Sequence, residues 1–375
     1  MKNHEFQDVS KLGFGLMRLP EKNGEIDYDH VCRMIDRYMD AGFNYFDTAY
    51  VYHSGKSESA VKECLVKRYP RERFHLATKL PVWCMTSKDD RDRIFHEQLE
   101  RTGAEYFDFY LLHSLEDGNN YNSYEEFDCF NWGIRKKQEG KIKHFGFSYH
   151  GTPELLEVIL DKHPEIEFVQ IQLNYADWKN PIVHSGKLYE ILTRRNIPMI
   201  IMEPVKGGTL AALMPELEAK LKAERPDASI ASWALRFAGS LDGIITILSG
   251  MSNDAQMLDN LNTFTNFEPL SDREKKLIEE VNEVMFNSSL IGCTACRYCC
   301  DGCPSQINIP EIFRVLNTIR LYGEEWRSSN VYQGLTKNSG KAKDCIACGQ
   351  CEGVCPQHLS IIELLKEASG HLDQE

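Results

Sequence analysis

The chain has 375 residues, 42% hydrophobic and 26% charged, which suits one large folded domain with a small one and excludes a disordered polypeptide. A formal net charge of -13, with no basic run of five, argues against nucleic acid or an anionic membrane as a partner, since both attract basic patches. The opening residues MKNHEFQDVSKLGFG lack the apolar core of a signal peptide, and no stretch nears the ~20 apolar residues of a membrane span, so a cytoplasmic location is expected.

From residue 11 to about 263, short apolar runs alternate with helical patterns, the mark of repeated βα units and a parallel sheet. Strands are predicted at 11–17, 43–49, 74–80, 107–114, 143–149, 168–175, 197–205 and 242–250. Eight of them point to a (β/α)8 TIM barrel. A doubly wound open sheet is the alternative, but the G-x-G-x-x-G fingerprint after a first strand is absent. Between the strands, Asp27 is expected to cap a helix ended by Gly42, Thr86 with Asp89 to form a capping box before 87–101, and Thr152 with Pro153 to open a fifth helix. Ser271 and Glu274 read as another capping box, opening a charged amphipathic helix. The resulting division is a barrel over 1–268, a linking helix over 269–289, and a small, mainly helical domain over 290–375.

Nine of the 13 cysteines crowd between Cys293 and Cys355. In a chain without an export signal, that density favours metal ligation over disulfides. Cys32, Cys64, Cys84 and Cys129 stand apart and are read as small buried hydrophobes. The run Cys293-x2-Cys296-x2-Cys299-x3-Cys303-Pro304 recurs as Cys345-x2-Cys348-x2-Cys351-x3-Cys355-Pro356. In two-cluster ferredoxins the fourth cysteine of each run ligates the other cluster, giving the expected sets Cys293, Cys296, Cys299 with Cys355, and Cys345, Cys348, Cys351 with Cys303. Zinc is the alternative, although zinc sites usually pair two Cys-x2-Cys units. Cys300 is a surplus thiol that could replace Cys299 as third ligand; the second copy has Glu352 there, so Cys299 is preferred. The 41 residues between Cys303 and Cys345 make this module resemble the helical ferredoxin-like domains fused to respiratory and reductase subunits.

At or just after the ends of strands two to four stand Asp47, Tyr52, Lys79 and His113, where barrel enzymes place their chemistry. Asp47 and Lys79 end apolar runs, so a buried ion pair without function is one reading. The combination suggests another: a phenol can protonate a forming alkoxide if an ammonium beside it favours the phenolate. Lys79 would supply that charge, Asp47 would hold it, and His113 would orient the carbonyl.

The segments D-T-A-Y-V-Y around Asp47 and Tyr52, A-T-K-L around Lys79 and L-L-H at His113 resemble the catalytic tetrad motifs of the aldo-keto reductases, over roughly residues 11–263. The resemblance implies that Ser148 and Gln170 bind the nicotinamide carboxamide, that Glu203–Gly208 lies beneath the pyrophosphate, and that Gly250, Asn253, Gln256 and Asn260 face the adenosine phosphate. Many members preferring the phosphorylated cofactor have arginine where this chain has Gln256, and a neutral amide forms no bidentate pair with a 2'-phosphate, so the cofactor is NADP or NAD. Reduction of a small-molecule carbonyl substrate by NAD(P)H, with two [4Fe-4S] clusters for electron transfer or coupling to a redox protein partner, is the function this implies. The alternative is an electron-transfer or regulatory subunit that binds nucleotide without turnover, its clusters structural.

Overall fold

The computed structural model describes residues 6–116, 118–180, 183–286, 290–322 and 326–373. Eight parallel strands close into a barrel: β1 (Leu12–Gly15), β2 (Tyr45–Asp47), β3 (His75–Leu80), β4 (Phe107–Leu115), β5 (Ile142–Tyr149), β6 (Phe168–Gln172), β7 (Met199–Met202) and β8 (Ile244–Ser249), with β1 pairing both β2 and β8. A two-residue antiparallel ladder, Glu21–Lys22 with Glu25–Ile26, lies outside it.

Helices α1 (Tyr28–Asp40), α2 (Lys56–Val61, continued by a π turn, Lys62–Val66), α3 (Asp90–Thr102), α4 (Gly118–Glu126), α5 (Cys129–Gln138), α6 (Pro153–Lys162) and α7 (Ser185–Arg194) connect the strands. Between β7 and β8 come α8 (Pro215–Glu224) and α9 (Ile230–Gly239), and α10 (Asp254–Thr265) follows β8. Asp27 caps α1 by accepting from His30 N at 3.0 Å, and Thr152 caps α6 through Leu155 N at 3.3 Å. The start of α3 departs from the expected Thr86–Asp89 box: the helix begins at Asp90, three residues later than the pattern assumes, and the Asp90 carboxylate accepts from Thr86 N, Thr86 Oγ1 and Ser87 N at 2.7–3.0 Å. Tyr45, Ala77, Phe109, Leu111, Phe168, Ile200, Ile245 and Leu248 fill the barrel interior, joined by Phe6.

Cys32 and Cys64 are not isolated. They form a disulfide between α1 and the π turn, with Cα atoms 4.7 Å apart, which corrects their reading as inert hydrophobes. The partners lie 32 residues apart, beyond the reach of any local spacing rule.

The chain divides into two compact units: residues 1–204 with 232–271, and residues 205–231 with 272–375. The second contains α8, α11 (Asp272–Phe286), α12 (Tyr298–Asp301), α13 (Ile309–Tyr322), α14 (Trp326–Leu335), α15 (Gln350–Gly353) and α16 (Ile361–Leu372). Residues 287–289, at the end of the expected linking helix, lie outside the described residues. Glu274, in the first turn of α11, pairs with Arg225 Nε at 2.6 Å. The core of this unit sets Ile307, Ile309, Ile312, Phe313, Leu316, Tyr332, Ile361 and Leu365 against the cysteines. Gly207, at φ +64, lies so close to the backbone of Thr294 that a Cβ would fall 2.4 Å from its carbonyl oxygen. The turn after β7 is thereby seated on the loop that follows Cys293.

Candidate active site

Strand register builds the tetrad. Asp47 pairs with Ala77, and Lys79 stands two residues further along β3 on the same face. Lys79 pairs with Leu111, and His113 again stands two residues further along β4. The ladder between β4 and β5 shifts register after Leu112, where Ser114 takes φ +57 and donates from its N–H to Ser148 Oγ at 2.7 Å. Such an irregularity at a strand end re-aims the neighbouring side chain. Tyr124 of α4 ties the two strand ends together, its hydroxyl lying 2.6 Å from the His113 carbonyl and 2.9 Å from that of Leu80.

Lys79 Nζ donates to Asp47 Oδ1 at 2.6 Å and to Thr48 O at 2.8 Å, and lies 3.4 Å from Tyr52 Oη. The tetrad is buried: Asp47 is 2% exposed, Lys79 0%, His113 3% and Tyr52 9%. Burial pushes Lys79 below the usual lysine range and Asp47 above the usual carboxylate range, each opposed by the charge of the other. His113 is driven well below its ordinary value by burial, then by the Lys79 charge and His150, so its ring is neutral at physiological pH. The rings of His113 and Tyr52 meet edge to face at 5.9 Å.

Tyr52 is followed by His53, Ser54 and Gly55, all at positive φ, an unusual backbone that needs outside support. His53 provides it: Nε2 accepts from Leu19 N at 3.1 Å, and Nδ1 lies 3.1 Å from Glu21 Oε1. Burial lowers its pKa, against the opposing pull of the Glu21 carboxylate. Sequence reasoning missed His53, and also Trp83, whose ring lies 5.0 Å from that of His113 while the residue stays 49% exposed. A tryptophan four residues past Lys79 was the available signal.

Ser148 and Gln170 are paired across β5 and β6. Among the described residues, Gln170 Oε1 is buried with no hydrogen-bond partner, as is His113 Nδ1. A buried orphan amide oxygen is the acceptor that a carboxamide NH2 would satisfy, so this pair fits a nicotinamide. Beyond β8, Gly250 precedes a turn in which Asn253 Oδ1 accepts from Gln256 N at 2.9 Å and Gln256 Oε1 accepts from Ser252 N at 2.8 Å. Asn260 Nδ2 donates to Ser249 Oγ at 2.6 Å. Gln256 and Asn260 therefore also hold the loop in shape. Arg18, another residue the sequence reading passed over, lies beside Gly250 and pairs with Glu203 at 3.2 Å.

In the second unit, Cys293, Cys296, Cys299 and Cys355 line one small pocket, and Cys303, Cys345, Cys348 and Cys351 line another. Cys300 lines neither. The fourth cysteine of each run thus joins the other run's triplet, with Gly302 allowing the two repeats to touch: a Cβ there would fall 2.0 Å from Gln350 Nε2. Among the described residues no three Cys, His, Asp or Glu side chains converge on a single ion's position. Three cysteines of one run meeting the fourth of the other, in the Cys-x2-Cys-x2-Cys-x3-Cys-Pro spacing, suit a pair of cubanes better than zinc ions. The backbone repeats as well, with left-handed φ at Ala295, Arg297 and Gln306 in the first copy and at Ala347, Gly349 and His358 in the second. Such conformations cost of order 1 kcal/mol or more at each non-glycine residue and persist where something over-determines them.

Residues 11–283 match the aldo/keto reductase family over most of the chain. The chain belongs to that family. Residues 292–360 of this reductase match a 4Fe-4S dicluster domain. L-Galactose dehydrogenase of Arabidopsis thaliana is 25% identical over 299 residues, 74% of this chain and 91% of that protein. An aldehyde reductase of Saccharomyces cerevisiae is 25% identical over 312 residues, 74% of this chain and 88% of its own length. The holo form of an aldo-keto reductase from Bacillus halodurans superposes with a TM-score of 0.58 at 25% identity, covering 73% of this chain and 92% of that one. An aldo/keto reductase from Klebsiella pneumoniae, solved with NADP and acetate, superposes with a TM-score of 0.59 at 19% identity, over 73% and 92% of the two chains, a likeness of fold.

Proposed function

We propose that this reductase converts an aldehyde or ketone to an alcohol, with NADPH or NADH as reductant and Tyr52 as proton donor. The observation that carries the reading is the buried Asp47–Lys79 pair set 3.4 Å from the Tyr52 hydroxyl. A bound reduced nicotinamide supplies hydride to the carbonyl carbon. Ser148 and Gln170 hold its carboxamide, and Gly250, Asn253, Gln256 and Asn260 its adenosine end. Tyr52 Oη delivers a proton to the carbonyl oxygen, and the Lys79 ammonium stabilises the phenolate left behind. Asp47 keeps Lys79 charged in its dry setting. The neutral His113 ring donates a hydrogen bond to the same oxygen, and Trp83 forms an apolar wall for the substrate.

In the second unit, Cys293, Cys296, Cys299 and Cys355 hold one [4Fe-4S] cluster, and Cys345, Cys348, Cys351 and Cys303 hold the other. These clusters supply one-electron exchange with a redox protein partner. No helix among the described residues is long and apolar enough to cross a membrane. With the acidic charge, this supports a cytoplasmic enzyme that binds neither membrane nor nucleic acid.

NAD(P)H oxidation against a panel of carbonyls tests the reading, alongside Tyr52→Phe. The variant is expected to turn over roughly 10²- to 10⁴-fold more slowly with nearly unchanged cofactor affinity. Near wild-type turnover would remove Tyr52 from the role. Tight nucleotide binding with no turnover of any carbonyl would favour the electron-transfer subunit. Anaerobically prepared protein is expected to hold about eight irons per chain; stoichiometric zinc in their place would refute the cluster assignment.

A further inference from the structure

We propose that Cys32 and Cys64 form a reversible redox modification site, a dithiol–disulfide switch that clamps the segment carrying Asp47 and Tyr52. Their Cα separation of 4.7 Å lies within the range a disulfide spans. The two backbones are held together by more than the bond: the Arg68 guanidinium donates to the carbonyls of both Cys32, at 3.3 Å, and Cys64, at 3.2 Å, and is anchored on Asp36 at 2.8 Å. When the bond is reduced, the sulfurs stay adjacent, and closing it again costs little reorganisation.

Access to the pair is one-sided. Cys32 is half-buried on α1, whereas Cys64 is fully buried, its sulfur facing Tyr28 O at 3.4 Å. The order of chemistry follows. The Cys32 thiolate attacks a small-molecule disulfide, releasing one thiol and forming a mixed disulfide. The Cys64 thiolate then attacks the Cys32 sulfur and expels the second thiol. Two protein thiols are oxidised, one external disulfide is reduced to two thiols, and the two protons pass to those thiols. An excess of small-molecule thiol runs the same steps backwards. In a reducing compartment, a disulfide of this kind serves a transient or sensing role.

The position of the bond gives it leverage. The loop it closes contains both Asp47 and Tyr52. On α1, Cys32 lies between His30 and Arg37, which hold Asp254 at the start of α10 at 3.0 and 2.9 Å. Oxidation pins the segment after Tyr52 to a helix already fastened to the segment carrying Asn253 and Gln256.

The test uses the holoprotein, equilibrated anaerobically with oxidised or reduced glutathione. Free thiols are trapped with N-ethylmaleimide in denaturant, the rest are reduced and labelled with iodoacetamide, and the Cys32 and Cys64 peptides are read by mass spectrometry. Both peptides are expected to carry the second label after oxidised glutathione and the first after reduced. The barrel's unfolding midpoint, followed by fluorescence from Trp83, Trp132, Trp178 and Trp233, should rise by about 5–10 °C on oxidation. Cys32→Ser should abolish that rise. The first label on both cysteines after oxidised glutathione, or a glutathione adduct persisting on Cys32, would overturn the proposal. A second label surviving in reduced glutathione would do so too, by showing a static cross-link. If the variant misfolds, the wild-type peptide map decides alone.

Discussion

Lys79 reaches its position through residues that never meet a substrate. Gln98 Nε2 donates to the Lys79 carbonyl at 3.0 Å and to Glu58 Oε1 at 3.0 Å, and Glu58 also accepts from Thr78 Oγ1 at 2.8 Å. Burial of Glu58 pushes its carboxyl up to about 6. A pKa raised on folding gives stability that is full below the unfolded value, about 4.5, and is lost as pH rises through about 6. The loss amounts to about 2 kcal/mol. Glu58→Gln keeps the acceptor oxygen without the titration, so its barrel midpoint should fall less than wild type between pH 4.5 and 6.5. Parallel thermal profiles would show that Glu58 does not titrate in this range. At the other end of the site, Gln256→Arg exchanges the contact with Ser252 N for a cation. A charge-assisted bond to a 2'-phosphate should raise affinity for NADPH over NADH by about tenfold, read as a ratio of dissociation constants. An unchanged ratio would place the adenosine phosphate elsewhere.

Among the elements, barrel strands and cysteine runs organise their side chains by different means. Each strand presents every second residue inward, so Asp47, Lys79 and His113 are aimed by backbone hydrogen bonding that needs no cofactor. The cysteine runs are short turns with left-handed φ at Ala295, Arg297, Ala347 and His358, and α12 and α15 span only four residues each. Turns of that kind depend on what they ligate, because ligation and folding are coupled. Cys348→Ser should therefore roughly halve the iron content and lower the helical circular dichroism contributed by α13, α14 and α16, while the barrel's own thermal transition persists. Full iron with unchanged helicity would mean that Cys348 is not a ligand.

For the molecule as a whole, the two chemistries differ in electron count. A nicotinamide releases hydride, two electrons together, whereas each [4Fe-4S] cluster takes one, so direct exchange requires a converter such as a flavin. Nothing in the sequence marks a flavin site, and hydride transfer to a carbonyl needs no metal. NADPH alone should leave the clusters of flavin-free protein oxidised, while a strong one-electron reductant reduces them. Anaerobic electron paramagnetic resonance checks this. A reduced-cluster signal within seconds of adding NADPH would establish direct coupling.

Periodic and local signals carried much of this architecture in the sequence alone. Each β-strand shows as a short apolar run, some of the helices between them carry their own cap signals, and the repeated cysteine spacing is local by nature. That Asp47, Lys79 and His113 end three successive strands was legible for the same reason, since a barrel puts strand ends together whatever the loops do. Tertiary structure decided what depends on packing between distant segments. The Cys32–Cys64 pair is one case, His53 under Leu19 and Trp83 against His113 are others, and so is the grouping of residues 205–231 with the second unit. α14 also escaped the reading, because WRSSNVYQGL carries too weak an apolar stripe to announce a helix that its neighbours stabilise. The physical reason is common to these cases: backbone propensity and hydrophobic periodicity act over a few residues, whereas a contact across 30 or more positions exists only once the barrel has closed.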